Sequence, residues 1–79
     1  MIESVECHSG FTYAEKPLAL TYLGRRREVA EILAQGRTPD EKWFRIRTHD
    51  GQLFLLRYAE ASGDWKIQQL LRRLDAGNL

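Results

Sequence analysis

A single cysteine, Cys7, leaves no possible disulfide within the chain, so the sequence is not a cystine-stapled extracellular scaffold. A reducing, cytoplasmic setting is the expectation. Long apolar runs are missing too. The longest, residues 53–56, falls far short of the roughly 20 residues a membrane-crossing helix needs, so no membrane association is expected. The stretch MIESVECHSG shows no basic region followed by an apolar one, and no secretory signal is expected from it. Charge of one sign is absent: 12 Lys and Arg face 11 Asp and Glu, for a net +1. Net charge therefore gives little long-range attraction for a polyanion. With 79 residues and no repeat, linker or low-complexity tract, a single small domain over residues 1–79 is expected.

Reactive constellations are equally scarce. The six glycines stand singly beside turn signals, so no phosphate-cradling loop is formed. One cysteine and two histidines without repeated spacing do not make a zinc site. Cys7 and His8 are adjacent, and neighbours on a strand point to opposite faces, which separates a would-be nucleophile from its base. Cys7 reads as a small buried thiol and His49 as a solvated turn residue. Glu28 and Glu31 read as a solvated face, and Asp40 and Glu41 as loop residues. Nothing assembles a nucleophile, a base and an orienting group, so no enzyme, cofactor or metal is expected.

What the chain does hold is strand pattern between turn signals, which implies a mainly β fold. Residues 4–9 give a weak alternation, with Val5 and Cys7 against Glu6 and His8. Phe11, Thr12 and Tyr13 favour extended structure, and residues 14–17 read as a turn. Pro17 suits a strand start because it has no ladder N–H to donate. Leu18, Leu20 and Tyr22 alternate after it, and Gly24 marks a turn needing positive φ. Residues 27–35 carry two patterns. Val29, Ile32 and Leu33 fit a helix face, while Ala30, Ile32 and Ala34 fit a strand face. Strand is favoured, since helix caps are missing and a short hairpin fits the spacing.

Residues 43–48 and 52–58 form the best-supported pair, joined around Asp50-Gly51. A tight two-residue turn would pair Phe44 with Arg57 and Arg47 with Phe54. A three-residue turn over His49, Asp50 and Gly51, with Gly51 left-handed, pairs Phe44 with Leu56 and Ile46 with Phe54. A slip of one residue turns every side chain to the other face, so the second register is selected. Residues 64–67 suggest a last short strand. Ile67, Leu70, Leu71 and Leu74 then repeat at helical spacing, which predicts a short C-terminal helix from about Gln68. The expected architecture is a small bent antiparallel sheet or open barrel of about five strands with that helix. Its expected core is Leu20, Val29, Ile32, Phe44, Ile46, Phe54, Leu56 and Trp65.

That register leaves Trp43, Arg45, Arg47 and Arg57 together on the outward face. Guanidinium groups beside an aromatic ring can grip phosphates and stack on bases, making these four candidate nucleic-acid-binding residues. Arginine stems packed over a Trp on a solvated sheet face are the plain alternative.

The order of Pro17, Gly24, Val29 and Ile32, Arg37-Thr38-Pro39, Trp43-Phe44, Asp50-Gly51 and Trp65 resembles a small prokaryotic domain of unknown function. That domain is about eighty residues long alone, and also forms the tail of proteins related to translesion DNA polymerases. The resemblance spans most of residues 17–67 and implies a compact β domain in a DNA-repair context, with no catalytic residues. One position departs: where the family pattern places an aromatic residue before the loop Arg, this chain has Gly36. The expected function is a non-catalytic binding module, for a protein partner that extends an exposed strand edge. The alternative is a nucleic-acid accessory domain using the Arg/Trp face. A monomer or weak homodimer is expected.

Overall fold

The computed structural model describes residues 3–7 and 16–70. They form six strands: β1 (Ser4–Cys7), β2 (Pro17–Tyr22), β3 (Arg25–Arg37), β4 (Glu41–Thr48), β5 (Leu53–Ala59) and β6 (Asp64–Leu70). Each pairs antiparallel with the next, and the sheet curls into a half-barrel. The mainly β, bent antiparallel architecture agrees with the alternation in the sequence. There are six strands rather than about five, because the weak first segment does pair, with Val5 opposite Leu20. No helix occurs among the described residues, and none is long and apolar enough to cross a membrane.

The expected C-terminal helix from about Gln68 is corrected where it can be compared. Gln68, Gln69 and Leu70 are the end of β6, paired with Leu55, Phe54 and Leu53. Trp65 and Ile67 must alternate inward to cover Tyr58 and Leu56 across that ladder, and this alternation prevails over the i, i+3 spacing of Ile67 and Leu70. Residues 71–79 of that expected helix lie outside the described residues, as do the extended segment at 11–13 and the first half of the turn at 14–17.

Leu20, Phe44, Ile46, Phe54 and Leu56 are buried inside the curl, with Val5, Tyr22, Val29, Ile32, Trp65 and Ile67 packed around them. Each of the larger side chains contributes about 1.5–3 kcal/mol by leaving water. Three ring contacts brace the cluster. Tyr22 meets Phe54 edge-on at 5.3 Å, and Trp65 lies 5.0 Å from Tyr58 and 6.1 Å from Phe44.

β3 is what bends the sheet. Residues 25–28 pair with β2, and residues 29–37 pair with β4. The ladder to β4 shifts twice, between Val29 and Glu31 and between Ile32 and Ala34. At each shift an extra residue is inserted, bending the strand and raising its twist. Val29, Ile32 and Gln35 consequently share the face of Thr48, Ile46 and Phe44, three residues apart instead of two, with Gln35 exposed at the end of the row. The helix-like spacing in the sequence is the trace of two β-bulges.

Two turns set the registers. The β2–β3 turn places Leu23 at φ 54° and Gly24 at φ 80°, the paired positive values of a two-residue hairpin turn. The β4–β5 turn holds Gly51 at φ 86° and pairs Phe44 with Leu56 and Ile46 with Phe54. This is the three-residue turn that the alternation selects. Thr48, fully buried, ties it together. Its backbone N–H donates to Gln52 O at 2.9 Å, its hydroxyl accepts from Gln52 N at 3.0 Å, and its hydroxyl donates to the Asp50 carboxylate.

Leu23 is a branched, 65% exposed side chain in the left-handed region. Leu23→Asn is expected to raise stability by about 0.5–1 kcal/mol in urea titration, since Asn tolerates that conformation better. The hydroxyl of Thr48, then Arg27, hold the Asp50 carboxyl below its ordinary value of 3.8. A lowered folded-state pKa adds stability that is complete above the ordinary value and fades as pH falls through the folded one. Thr48→Val should lower stability at neutral pH by about 1–2 kcal/mol. It should also lose less than the wild type between neutral pH and acid below pH 3.8, as read by denaturation midpoints at both.

Candidate functional site

Alternation along β4, β5 and β6 turns a second set of side chains outward, onto the convex side of the half-barrel. The ladder arranges them in rows. One row runs Gly36, Trp43, Arg57 and Lys66, and the next runs Ala34, Arg45, Leu55 and Gln68. A third runs Glu31, Arg47, Leu53 and Leu70. The four sequence candidates therefore do share one face: Trp43 is directly opposite Arg57, and Arg45 and Arg47 follow on the same strand.

They are not equivalent. Arg47 donates to the Glu31 carboxylate at 2.7 Å, so its charge is already matched. Arg45 and Arg57 are exposed and, with Lys66, have no ion pair among the described residues. Trp43 is half-buried because it lies over Gly36. A Cβ added to Gly36 would come within 2.8 Å of Trp43 Cζ2 and 3.0 Å of its Nε1. The missing side chain is the seat for the indole, a device by which an aromatic covers a strand glycine. Trp43 thus fills, across the ladder, the space that Gly36 leaves.

Sequence reasoning did not find Lys66, Leu55 or the role of Gly36. Lys66 lies within the expected strand at 64–67 but required the β5–β6 register that sets it opposite Arg57, and Gly36 required the β3–β4 register that two bulges offset. Gly36 facing Trp43 across a hairpin was the available signal.

Three other arginines in the middle of the chain, Arg26, Arg27 and Arg37, act as braces. The Arg26 guanidinium donates to Glu6 at 2.8 and 2.9 Å and lies 3.5 Å from Glu28, linking β1 to β3. This pair draws the Glu6 carboxyl below its usual value. Arg27 packs 5.6 Å over the Phe54 ring and donates to Asp50 at 3.2 Å. Arg37 donates to both oxygens of Glu60, at 2.9 and 2.7 Å. Cys7 is half-buried, and burial raises its thiol pKa against the opposing pull of Lys42. A raised pKa leaves less thiolate at neutral pH. His8 lies outside the described residues. Among the described residues no group of three His, Cys, Asp or Glu side chains could hold a metal ion.

The convex face is therefore a mixed surface: an indole, two guanidinium groups and an ammonium without ion pairs among the described residues, interleaved with Leu53, Leu55 and Leu70. Glu41 and Asp64 flank it in the neighbouring row, paired with Ala59 between them. No protein-family model, curated protein or solved structure matches this chain.

Gly36→Ala is expected to push the indole off its seat. In a Trp65→Phe background, where Trp43 is the remaining tryptophan, its emission should shift to longer wavelength. Stability should fall by about 0.5–1.5 kcal/mol, the cost of an off-rotamer side chain.

Proposed function

We propose that this protein is a non-catalytic binding module whose convex face docks on a protein partner. The observation that carries this reading is the composition of that face. Trp43, Arg45 and Arg57 stand beside Leu55 and Lys66 with no layer over them among the described residues. Trp and Arg are the residues that most often anchor protein interfaces, provided that apolar neighbours exclude water around them. The leucines between the cations supply that surrounding, and the flanking Glu41 and Asp64 would set orientation against a partner's own charges.

A second reading uses the same residues. Arg45, Arg57 and Lys66, without ion pairs among the described residues, gather about Trp43, a stacking platform with phosphate-binding groups at its sides. The resemblance to the tail domain of translesion-polymerase-like proteins also favours a DNA setting. The acids in the adjacent row and the net charge of only +1 favour the protein partner.

Arg45→Ala with Arg57→Ala separates these readings. Stability should change by no more than about 0.5 kcal/mol, because neither side chain is buried or ion-paired within the described fold. Proteins captured by the wild type and lost by the double variant support the first reading. Binding of oligo-dT at low salt, weakened in the double variant, moves the assignment to the second. There the log–log salt slope should flatten by about 0.7 for each phosphate no longer gripped. Capture that the double variant leaves intact, with no oligo-dT binding, overturns both.

A further inference from the structure

Arg57 and Lys66 stand directly opposite each other on β5 and β6, on the convex face. Arg45 is the diagonal neighbour of Arg57 on the other flank, because its own partner across the ladder is Leu55. Directly opposed side chains lie about 5 Å apart at Cβ and diagonal ones about 7–8 Å, and like charges set directly opposite destabilise a sheet. All three cations are exposed, and none has an ion pair among the described residues. Arg26, Arg27, Arg37 and Arg47, by contrast, each meet a carboxylate. The fold thus holds an unfavourable cation pair at Arg57 and Lys66 and supplies no anion to relieve it.

The surroundings of the three cations are ordered. Glu41 and Asp64 lie one row away from Arg57, on the side opposite Arg45. A row is two residues along a strand, about 7 Å. Neither acid comes within ion-pair distance of Arg45, Arg57 or Lys66. On the other side, Leu55 shares the row of Arg45, and Leu53 and Leu70 occupy the row beyond. Along the strands the strip therefore runs from acids, through cations beside Trp43, to leucines.

We infer that the partner segment docking on this strip is acidic where it meets the cations and apolar beyond them. Its carboxylate would lie over β5 between Arg57 and Leu55, with Arg45 on one flank and Lys66 on the other. Its aliphatic side chains would cover Leu53 and Leu70. This rests on the convex face being a protein-docking surface, and it names the chemistry of the partner. The banding favours a protein over a nucleic acid. A nucleic acid carries a charge at every nucleotide, and lying along the strands it would set phosphates against Glu41 and Asp64. Lying across them, it would leave the leucines bare. A protein segment can carry its acids at the cations alone.

The test is a titration of the ¹⁵N-labelled chain at low salt with a capped nine-residue peptide. In it, serines alternate with two glutamates and then two leucines. Amide shifts are expected at Arg45, Leu55, Arg57 and Lys66, with affinity falling as salt is added. Lys66→Glu sets a carboxylate opposite Arg57. It should raise the urea midpoint of the free protein while weakening the peptide by about tenfold. Lys66→Gln should shift both in the same directions by less. A gain in stability joined to a loss of binding is what a strip that merely faces solvent cannot give.

No binding at millimolar peptide, equal binding when lysines replace the glutamates, or unchanged affinity in Lys66→Glu overturns the acidic partner. Oligo-dT binding more tightly than the peptide, with the same shifts, would assign the strip to nucleic acid. Partner proteins released by Arg45→Ala with Arg57→Ala but retained by Lys66→Glu would remove the acidic segment and leave the docking face standing. Capture that neither variant disturbs removes both.

Discussion

Phe44, Ile46, Phe54 and Leu56 reach the interior because the β4–β5 ladder holds one register. Gly51 at φ 86° and the buried Thr48 hydroxyl maintain it. A slip of one residue would send these four side chains into water and turn Arg45 and Arg47 inward, where an unpaired guanidinium is far too costly to bury. β6 takes its own register from β5, so Trp65 and Ile67 cover the core only if the central hairpin is correctly aligned. The outward strip of Trp43, Arg45 and Arg57 is the other face of the same decision. Core and candidate site are therefore not separable features: the turn that buries one presents the other.

The second constraint is the bent β3. A regular thirteen-residue strand would keep one set of neighbours and leave the sheet open. Two bulges let it leave β2 at Glu28 and continue along β4, which folds Leu20, Val5 and Tyr22 over Phe54 and Ile46. The bend has a further consequence. It strands one side of residues 29–37 without a partner among the described residues and opens the fork between Leu18 and Ile32. A small domain that curls by bulging one strand creates an edge in the act of enclosing its core.

Charge is divided between holding the fold and facing outward. Arg26, Arg27, Arg37 and Arg47 each meet a carboxylate on another segment of the chain, tying β1 to β3, β3 to the β4–β5 turn, β3 to the loop after β5, and β4 to β3. Mostly exposed, each such pair adds on the order of 0–1 kcal/mol, so they steer more than they stabilise. With the paired arginines set aside, the cations available to a partner are few and local.

Composition and alternation sufficed for the strand-rich class and the central hairpin with its register. They also placed the eight expected core residues: five are buried and the other three, Val29, Ile32 and Trp65, pack against them. Those judgments depend on local geometry, in which neighbours a few residues apart on a hairpin decide which face each side chain takes. The rest came from long-range packing. Residues 27–35 carried helical and strand patterns at once, because a bulge every third residue imitates a helix period. Residues 67–70 looked helical until Leu56 and Tyr58 supplied the surface that Ile67 and Trp65 cover. Arg47 was indistinguishable from Arg45 and Arg57 in the sequence, and only the fold brings Glu31 to within 2.7 Å of it. The unpaired edge of β3 was likewise invisible, and the seat of Trp43 over Gly36 needed the β3–β4 register that two bulges offset. Each depends on which strands meet across the sheet, and a linear pattern records a residue's own period but not the partner that tertiary structure sets beside it.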